Sequence, residues 1–259
     1  MGKQKAQTKV KPTGVPTTKE KQDEAIIGTN DYSIVSKRSV EKLYYTDEPE
    51  FLRPFVARFK RRAPLINRGY WLRMKAIENS VANFLDEKSE KSKVIVNLGC
   101  GYEPLPFRML WKYSKLCRNV KFVDVDYPQL MLKKTDVIRR DSLFSNLLSG
   151  EQRSSAIGSS SLLLLNDEKY CAVGCDLGNT EDLDRALRTE LQLDSRSILF
   201  IGEVSIVYME VEQADRLVRW AGTFKDGRYG LKRFFGDSQL LTWTNSSVLP
   251  PRAASTCRC

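Results

Sequence analysis

The sequence predicts an α/β fold in which a largely parallel sheet is wrapped by helices, and three observations carry that prediction. Apolar runs rich in β-branched residues at 94–98, 120–126, 170–176 and 198–204 have the length and composition of buried parallel strands. Segments with apolar residues at helical spacing alternate with those runs. Each run also ends on a feature suited to a strand tip: Gly99-Cys100-Gly101 after the first, Asp126, Asp176 and Glu203 at the ends of the others.

In chain order, residues 1–29 carry Lys3, Lys5, Lys9, Lys11, Lys19 and Lys21 among Pro, Thr and Gln with almost no apolar content, so they are expected to form a disordered basic arm. Residues 30–93 are expected to form a helical cap. Its first part, 30–45, reads as a short capped helix bearing Lys37, Arg38 and Lys42, and Pro64 marks a break. Tyr70, Met74, Ile77, Val81 and Phe84 then recur at helical spacing and define an amphipathic helix over 67–87.

Residues 94–230 read as the core, with helices at 105–117, 129–138, 180–191 and 211–224. On the last of these Val211, Ala214, Leu217, Val218 and Ala221 share one face. Residues 141–165, rich in Ser and Leu, read as a loop insertion between the second and third strands. Beyond Gly230 no period can be assigned. Phe234-Phe235 would finish a fifth strand begun near Arg228, and 231–259 otherwise read as an irregular tail, leaving the sheet incomplete on that side.

Composition narrows the chemistry. A chain of 259 residues, 41% hydrophobic and 29% charged, can bury one substantial α/β core. No apolar run approaches the ~20 residues of a membrane helix. No apolar block follows the lysine-rich start as a secretory signal requires, so a cytoplasmic location is expected. The chain has no histidine, which removes Ser-His-Asp and Cys-His catalysis and most catalytic zinc sites. Proton transfer would fall to Asp, Glu, Lys, Tyr or Cys. Six cysteines lack the paired C-x-x-C spacing of a zinc site, so no metal is expected and the thiols read as reduced. The net charge is +10 and the pI near 9.3. Besides the arm, Arg58, Lys60, Arg61 and Arg62 form a second basic cluster, either a solvated surface or a patch drawn to nucleic-acid phosphates.

The turn after the first strand is the centre of the functional reading. Glycines at 99 and 101 allow close backbone approach to a ligand, and Asp126 lies near the ~20-residue offset at which an acid meets a ribose. No third glycine follows; Tyr102-Glu103-Pro104 comes instead, and Glu103 would repel a phosphate at the helix start. A phosphate-free nucleoside cofactor fits, and S-adenosylmethionine is one. Asp176 would then face the adenine amine and Glu203 the methionine amine, unless these acids are simply polar strand ends. Arg73 stands on the side of its helix that the apolar stripe buries, where an unpaired guanidinium would be costly. It either pairs with a core acid, snorkels, or clamps the methionine carboxylate.

Together these residues resemble the leucine carboxyl methyltransferase family, and within it the fungal-type branch that makes wybutosine in phenylalanine tRNA. The matching segments are Asn30-Asp31 with Ser36-Lys37-Arg38-Ser39, Arg62-Ala63-Pro64-Leu65-Ile66-Asn67-Arg68-Gly69-Tyr70, Asn97-Leu98-Gly99-Cys100-Gly101, Asp124-Val125-Asp126-Tyr127-Pro128, Gly174-Cys175-Asp176-Leu177 and Glu203-Val204-Ser205-Ile206-Val207-Tyr208-Met209. The resemblance implies a class I, Rossmann-like methyltransferase fold and S-adenosylmethionine as cofactor, held by Lys37, Arg73, Gly99, Asp126, Asp176, Leu177 and Glu203, with Gly101 joining them from the spacing argument. It implies a carboxylate acceptor: the side chain of the wybutosine precursor in phenylalanine tRNA, which is methylated and then methoxycarbonylated. The alternative acceptor is the C-terminal leucine of the protein phosphatase 2A catalytic subunit. Basic arm, basic cluster and Ser39 favour the RNA. The resemblance covers about residues 30–224. The departure after Gly230 reads as a truncation or frame change, which leaves an inactive cofactor- or RNA-binding remnant as a further reading. The sequence identifies no group that orients the acceptor.

Overall fold

A computed structural model describes residues 18–56, 58–148, 161–224 and 227–232. Among the described residues, five parallel strands and one antiparallel strand form a single sheet. In chain order the strands are β1 (Lys93–Leu98), β2 (Val120–Asp126), β3 (Leu163–Asn166), β4 (Tyr170–Gly174), β5 (Ser197–Glu203) and β6 (Gly227–Lys232). Across the sheet they run β3-β4-β2-β1-β5-β6, with β3 alone antiparallel to its neighbour. This is the largely parallel, Rossmann-like α/β arrangement the sequence predicts.

The helices are α1 (Thr18–Tyr44), α2 (Pro64–Asp86), α3 (Leu105–Lys112), α4 (Pro128–Arg140), α5 (Ser142–Ser145), α6 (Thr180–Asp184) and α7 (Val211–Ala221). Strand alternation sorts the core into two layers. Ile95, Phe122, Ala172, Leu199 and Ile201 face one side, where they pack with Ile77, Phe84, Phe107, Met131 and Ile138 from α2, α3 and α4. Val94, Val96, Val123, Val125, Val173 and Phe200 face the other, against Leu183, Leu217, Ala221 and Phe224. With both faces covered, the central strands read as continuous apolar runs rather than alternating ones.

The structure corrects several expected boundaries. Residues 18–29 belong to α1, which is one helix of 27 residues rather than a short one preceded by an arm. Thr18 to Thr29 lacks proline and is rich in Lys, Glu, Gln and Asp, residues a helix tolerates well. Residues 1–17 lie outside the described set. Within the expected insertion, α5 and β3 are ordered elements, and residues 149–160 lie outside the described set. The helix expected over 180–191 is α only as far as Asp184. It continues as a π-helical turn, Arg185–Glu190, in which Leu191 N–H reaches Ala186 O, five residues back, at 3.0 Å. The expected fifth strand is β6, which pairs with β5 in parallel register from Gly227 to Lys232. Phe234-Phe235 and the rest of the expected tail lie outside the described residues.

The topology itself makes a crevice. The chain moves outward from β1 through β2 to β4, then returns to the opposite flank of β1 with β5. The connections after β1 and β5 therefore leave in opposite directions, and the gap outside the carboxyl ends of such strands is where open α/β sheets bind ligands. Helix α1 packs against α2 at this end of the molecule.

Candidate active site

At the tip of β1 the backbone turns through Gly99 (φ 69°) and Gly101 (φ 53°), both in the left-handed region that glycine enters without strain. Space as well as torsion requires glycine here. A Cβ at Gly99 would lie 2.2 Å from Ser205 Cβ, and one at Gly101 would lie 2.3 Å from Asn30 Oδ1. Those two neighbours fix the turn from either side. Ser205 Oγ donates to Leu98 O at 2.7 Å, and Asn30 Oδ1 accepts from Tyr102 N–H at 3.0 Å.

Asp126, the last residue of β2, reaches back across the same turn. Its Oδ2 accepts from Gly101 N–H at 2.7 Å and its Oδ1 from Tyr127 N–H at 2.7 Å. Burial raises the Asp126 carboxyl above its ordinary range against the pull of those two N–H groups. Asp176, two residues beyond β4, accepts from Gly178 N–H at 2.9 Å and so shapes the tight turn that carries Leu177.

The charged floor lies between β1 and β5. Lys37 Nζ, from α1, is 2.6 Å from Glu103 Oε2 and 2.8 Å from Glu203 Oε2. Arg73 Nε, from α2, is 2.7 Å from Glu203 Oε1, with its guanidinium 4.4 Å from the centre of the Tyr70 ring. Burial opposes charge on Lys37, but Glu103 and Glu203 outweigh it and hold the ammonium above its ordinary range. Burial likewise opposes charge on Glu203, but Lys37 and Arg73 hold that carboxyl below the carboxylate range. Two cations and two anions thus balance. The Arg73 Nε–Glu203 Oε1 contact is close but lies outside hydrogen-bond geometry, and both atoms are buried without a hydrogen-bond partner. Val204, next in the chain, has φ 62°, which is strained for a β-branched residue and turns the chain sharply at the cleft wall.

All eight residues singled out from sequence, Lys37, Arg73, Gly99, Gly101, Asp126, Asp176, Leu177 and Glu203, line one cleft of about 640 Å³. That volume lies within the ~300–1,000 Å³ of small-molecule and cofactor sites. Of the readings open for Arg73, the structure realises the ion pair with an acid of the site. Glu103, expected as a free anion at the helix start, is instead a buried partner of Lys37. Asn30, Ser205 and Gln213 also line the cleft and were not singled out from sequence. Asn30 and Ser205 carry a readable signal, since both are polar residues in segments that resemble the family; the place of Gln213 emerges only in three dimensions. Among the described residues no group of His, Cys, Asp and Glu is arranged to hold a metal ion, and no helix is long and apolar enough to cross a membrane.

Comparison with known proteins places most of the fold. The family model for leucine carboxyl methyltransferase matches residues 14–222. A protein named tRNA wybutosine-synthesizing protein 4 from Aspergillus fumigatus is 45% identical over 226 residues, covering 86% of this chain and 21% of the relative. The protein of that name from Gibberella zeae is 46% identical over 216 residues, covering 83% and 21%, and that from Schizosaccharomyces pombe is 38% identical over 213 residues, covering 81% and 30%. The chain thus spans between about a fifth and a third of the length of these relatives. A family model that matches most of the chain, and relatives 38–46% identical over four-fifths or more of it, lead to one assignment: this chain belongs to the leucine carboxyl methyltransferase family.

Proposed function

We propose that this chain is the S-adenosylmethionine-dependent methyltransferase unit of a wybutosine-forming enzyme, acting in the cytoplasm on the carboxylate side chain of the tricyclic guanosine of phenylalanine tRNA. The observation that carries the reading is the convergence of the glycine turn, Asp126 and the Lys37–Glu203–Arg73 cluster on one cleft in a member of this family. The naming of the relatives favours the tRNA over the phosphatase as acceptor. Free, buried thiols at Cys100, Cys117, Cys171 and Cys175 suit a reducing compartment.

The residues fit the cofactor. Gly99 and Gly101 let Ser205 and Asn30 pack directly on the turn that borders the cleft, and Asp126 keeps its carboxylate fixed by two N–H donors while facing the cleft. Asp126 would accept the ribose hydroxyls, and Asp176 with Leu177 would border the adenine. Lys37, Arg73 and Glu203 would hold the amino-acid end. A guanidinium carries five N–H donors, more than the Glu203 contact uses, which leaves Arg73 capacity for a carboxylate, while Glu203 offers its charge to an ammonium. The cofactor supplies an electrophilic methyl group on a sulfonium. The protein's own work is alignment, because an acceptor carboxylate is already anionic at neutral pH and needs no strong base. The lack of histidine therefore costs the reaction nothing.

The test is methyl transfer from labelled cofactor. Label appearing on phenylalanine tRNA isolated from cells blocked in the preceding modification step supports the reading. Label appearing only on phosphatase 2A catalytic subunit would replace it with the phosphatase reading, and label on neither would leave a binding remnant.

A further inference from the structure

The sequence between Glu50 and Glu78 contains eight cations and no acid: Arg53, Arg58, Lys60, Arg61, Arg62, Arg68, Arg73 and Lys75. In a chain with 42 basic and 32 acidic residues this is a strong local imbalance. The structure sorts these cations by task. Arg73 and Lys75 are engaged by Glu203 and Glu78. Arg62 is an anchor: its N–H donates to Ser39 Oγ at 2.9 Å, its carbonyl accepts from Asn67 Nδ2 at 2.9 Å, and its guanidinium lies 4.5 Å from the centre of the Tyr32 ring. Tyr32 is 56% exposed and lines the cleft. Arg62 thereby fastens the segment ahead of α2 to α1 at the mouth of the site.

The five cations that remain, Arg53, Arg58, Lys60, Arg61 and Arg68, are exposed, and among the described residues none has a carboxylate within ion-pairing distance. Phe59 and Leu65 are exposed between them. An ordinary solvated face intersperses charges of both signs. A run of one sign repels itself, and a polyanion relieves that repulsion while releasing its own counterions. A lone acceptor carboxylate requires only one cation, whereas this segment offers several separated along the chain.

We infer that the segment 58–68 is the docking surface for the phosphate backbone of an RNA strand whose modified base enters the cleft beside Tyr32. Arg58, Lys60 and Arg61 contact phosphates, and the Arg62–Tyr32 stack sets the distance from that backbone to the cleft. This rests on the RNA reading of the acceptor and adds where the RNA is held.

The experiment measures binding of a labelled anticodon stem-loop RNA to the full chain by fluorescence anisotropy across a salt series. The triple variant Arg58→Gln, Lys60→Gln, Arg61→Gln is compared with the double variant Lys115→Gln, Arg118→Gln. The latter pair precedes the amino end of β2, the end of the sheet away from the cleft. The triple variant is expected to lose roughly 10- to 100-fold in affinity at physiological salt and to flatten the slope of log affinity against log salt by about 2–3. The double variant is expected to change both much less. Equal losses in the two variants, an unchanged salt slope in the triple variant, or no RNA binding by the unaltered chain would each overturn the inference. Calorimetric titration of S-adenosylmethionine into the same proteins reads the cofactor site separately. An unaltered chain that takes up no cofactor speaks against the methyltransferase reading, whereas normal cofactor uptake with insensitive RNA binding speaks only against this surface.

Discussion

Two buried ion clusters lie on either side of the glycine turn, and they differ in how much bonding capacity each cation has left. Beneath the turn, Lys134 of α4 lies 2.8 Å from Asp124 Oδ2, 2.9 Å from Glu103 O and 3.5 Å from Cys100 Sγ, and Tyr170 OH donates to the same Asp124 oxygen at 2.9 Å. Each of the three ammonium donors has an acceptor, and both charged side chains are fully buried. Burial opposes the Lys134 charge, yet Asp124 holds the ammonium above its usual range. Above the turn, Lys37 and Arg73 share Glu203 and face the cleft, with the guanidinium contact out of hydrogen-bond alignment. The closed cluster ties β2, α4 and the turn together. The open one borders the cleft rather than the core, which suits a place where a zwitterionic ligand is exchanged.

The comparison can be broken most easily by removing one cation from each cluster. Lys134→Met leaves Asp124 buried and unpaired, so unfolding in urea should show a loss of about 3–5 kcal/mol. Arg73→Met leaves Glu203 still paired with Lys37, and should cost about 1 kcal/mol while weakening cofactor binding tenfold or more. Equal stability losses would erase the distinction drawn between the clusters.

The turn that separates them is the next point of attack. Gly99→Ala forces a side chain into the left-handed region and against Ser205, a cost of roughly 1–3 kcal/mol. Because the clash lies on the cleft side, calorimetry should show weakened cofactor binding as well. A stable variant with normal affinity would mean that Ser205 can give way without disturbing the cleft.

The smallest expected effect lies away from both clusters, on the surface side of α1. Hydrogen bonds from Arg38 and Lys42 lower the Glu50 carboxyl to about 2. A carboxyl with a depressed folded value contributes stability that is present above about pH 4.5 and is lost as pH falls through about 2. Glu50→Gln should therefore flatten that part of the acid limb in a denaturation series. Since the side chain is about one-third exposed, solvent screening keeps the effect to about 1 kcal/mol or less.

Why some of this was readable and some not follows from the range of the interactions. The strands announce themselves in consecutive residues, Val94-Ile95-Val96 and Val123-Asp124-Val125, because both faces of a parallel strand are buried. Asp126 and Glu203 were legible as strand tips for the same reason. The N-terminal reach of α1 was not, since Thr18 to Thr29 is polar without an apolar period. Strand β3 was hidden because Leu162 to Leu165 is a short leucine run among serines, which alone does not distinguish a strand from a loop. Arg73 was visible as an anomaly on a buried face, but its partner Glu203 is 130 positions away, and no local pattern links them. Lys37 entered through family resemblance, and its bond to Glu103 spans 66 residues. Local chemistry thus nominated the site, and the topology decided which charges meet.

The central claim is that the cleft at the tips of β1, β2, β4 and β5 is a nucleoside-sulfonium site in which Asp126 is a direct ligand of the ribose. Titration calorimetry of S-adenosylmethionine into the intact chain and into Asp126→Asn tests it most directly. One binding site per chain is expected, weakened roughly 10- to 100-fold in the variant, which also loses about 1–2 kcal/mol of stability because Asn offers one acceptor oxygen where Asp126 serves both Gly101 and Tyr127 N–H. No binding heat from the parent chain, or equal affinity in both proteins, would contradict the account.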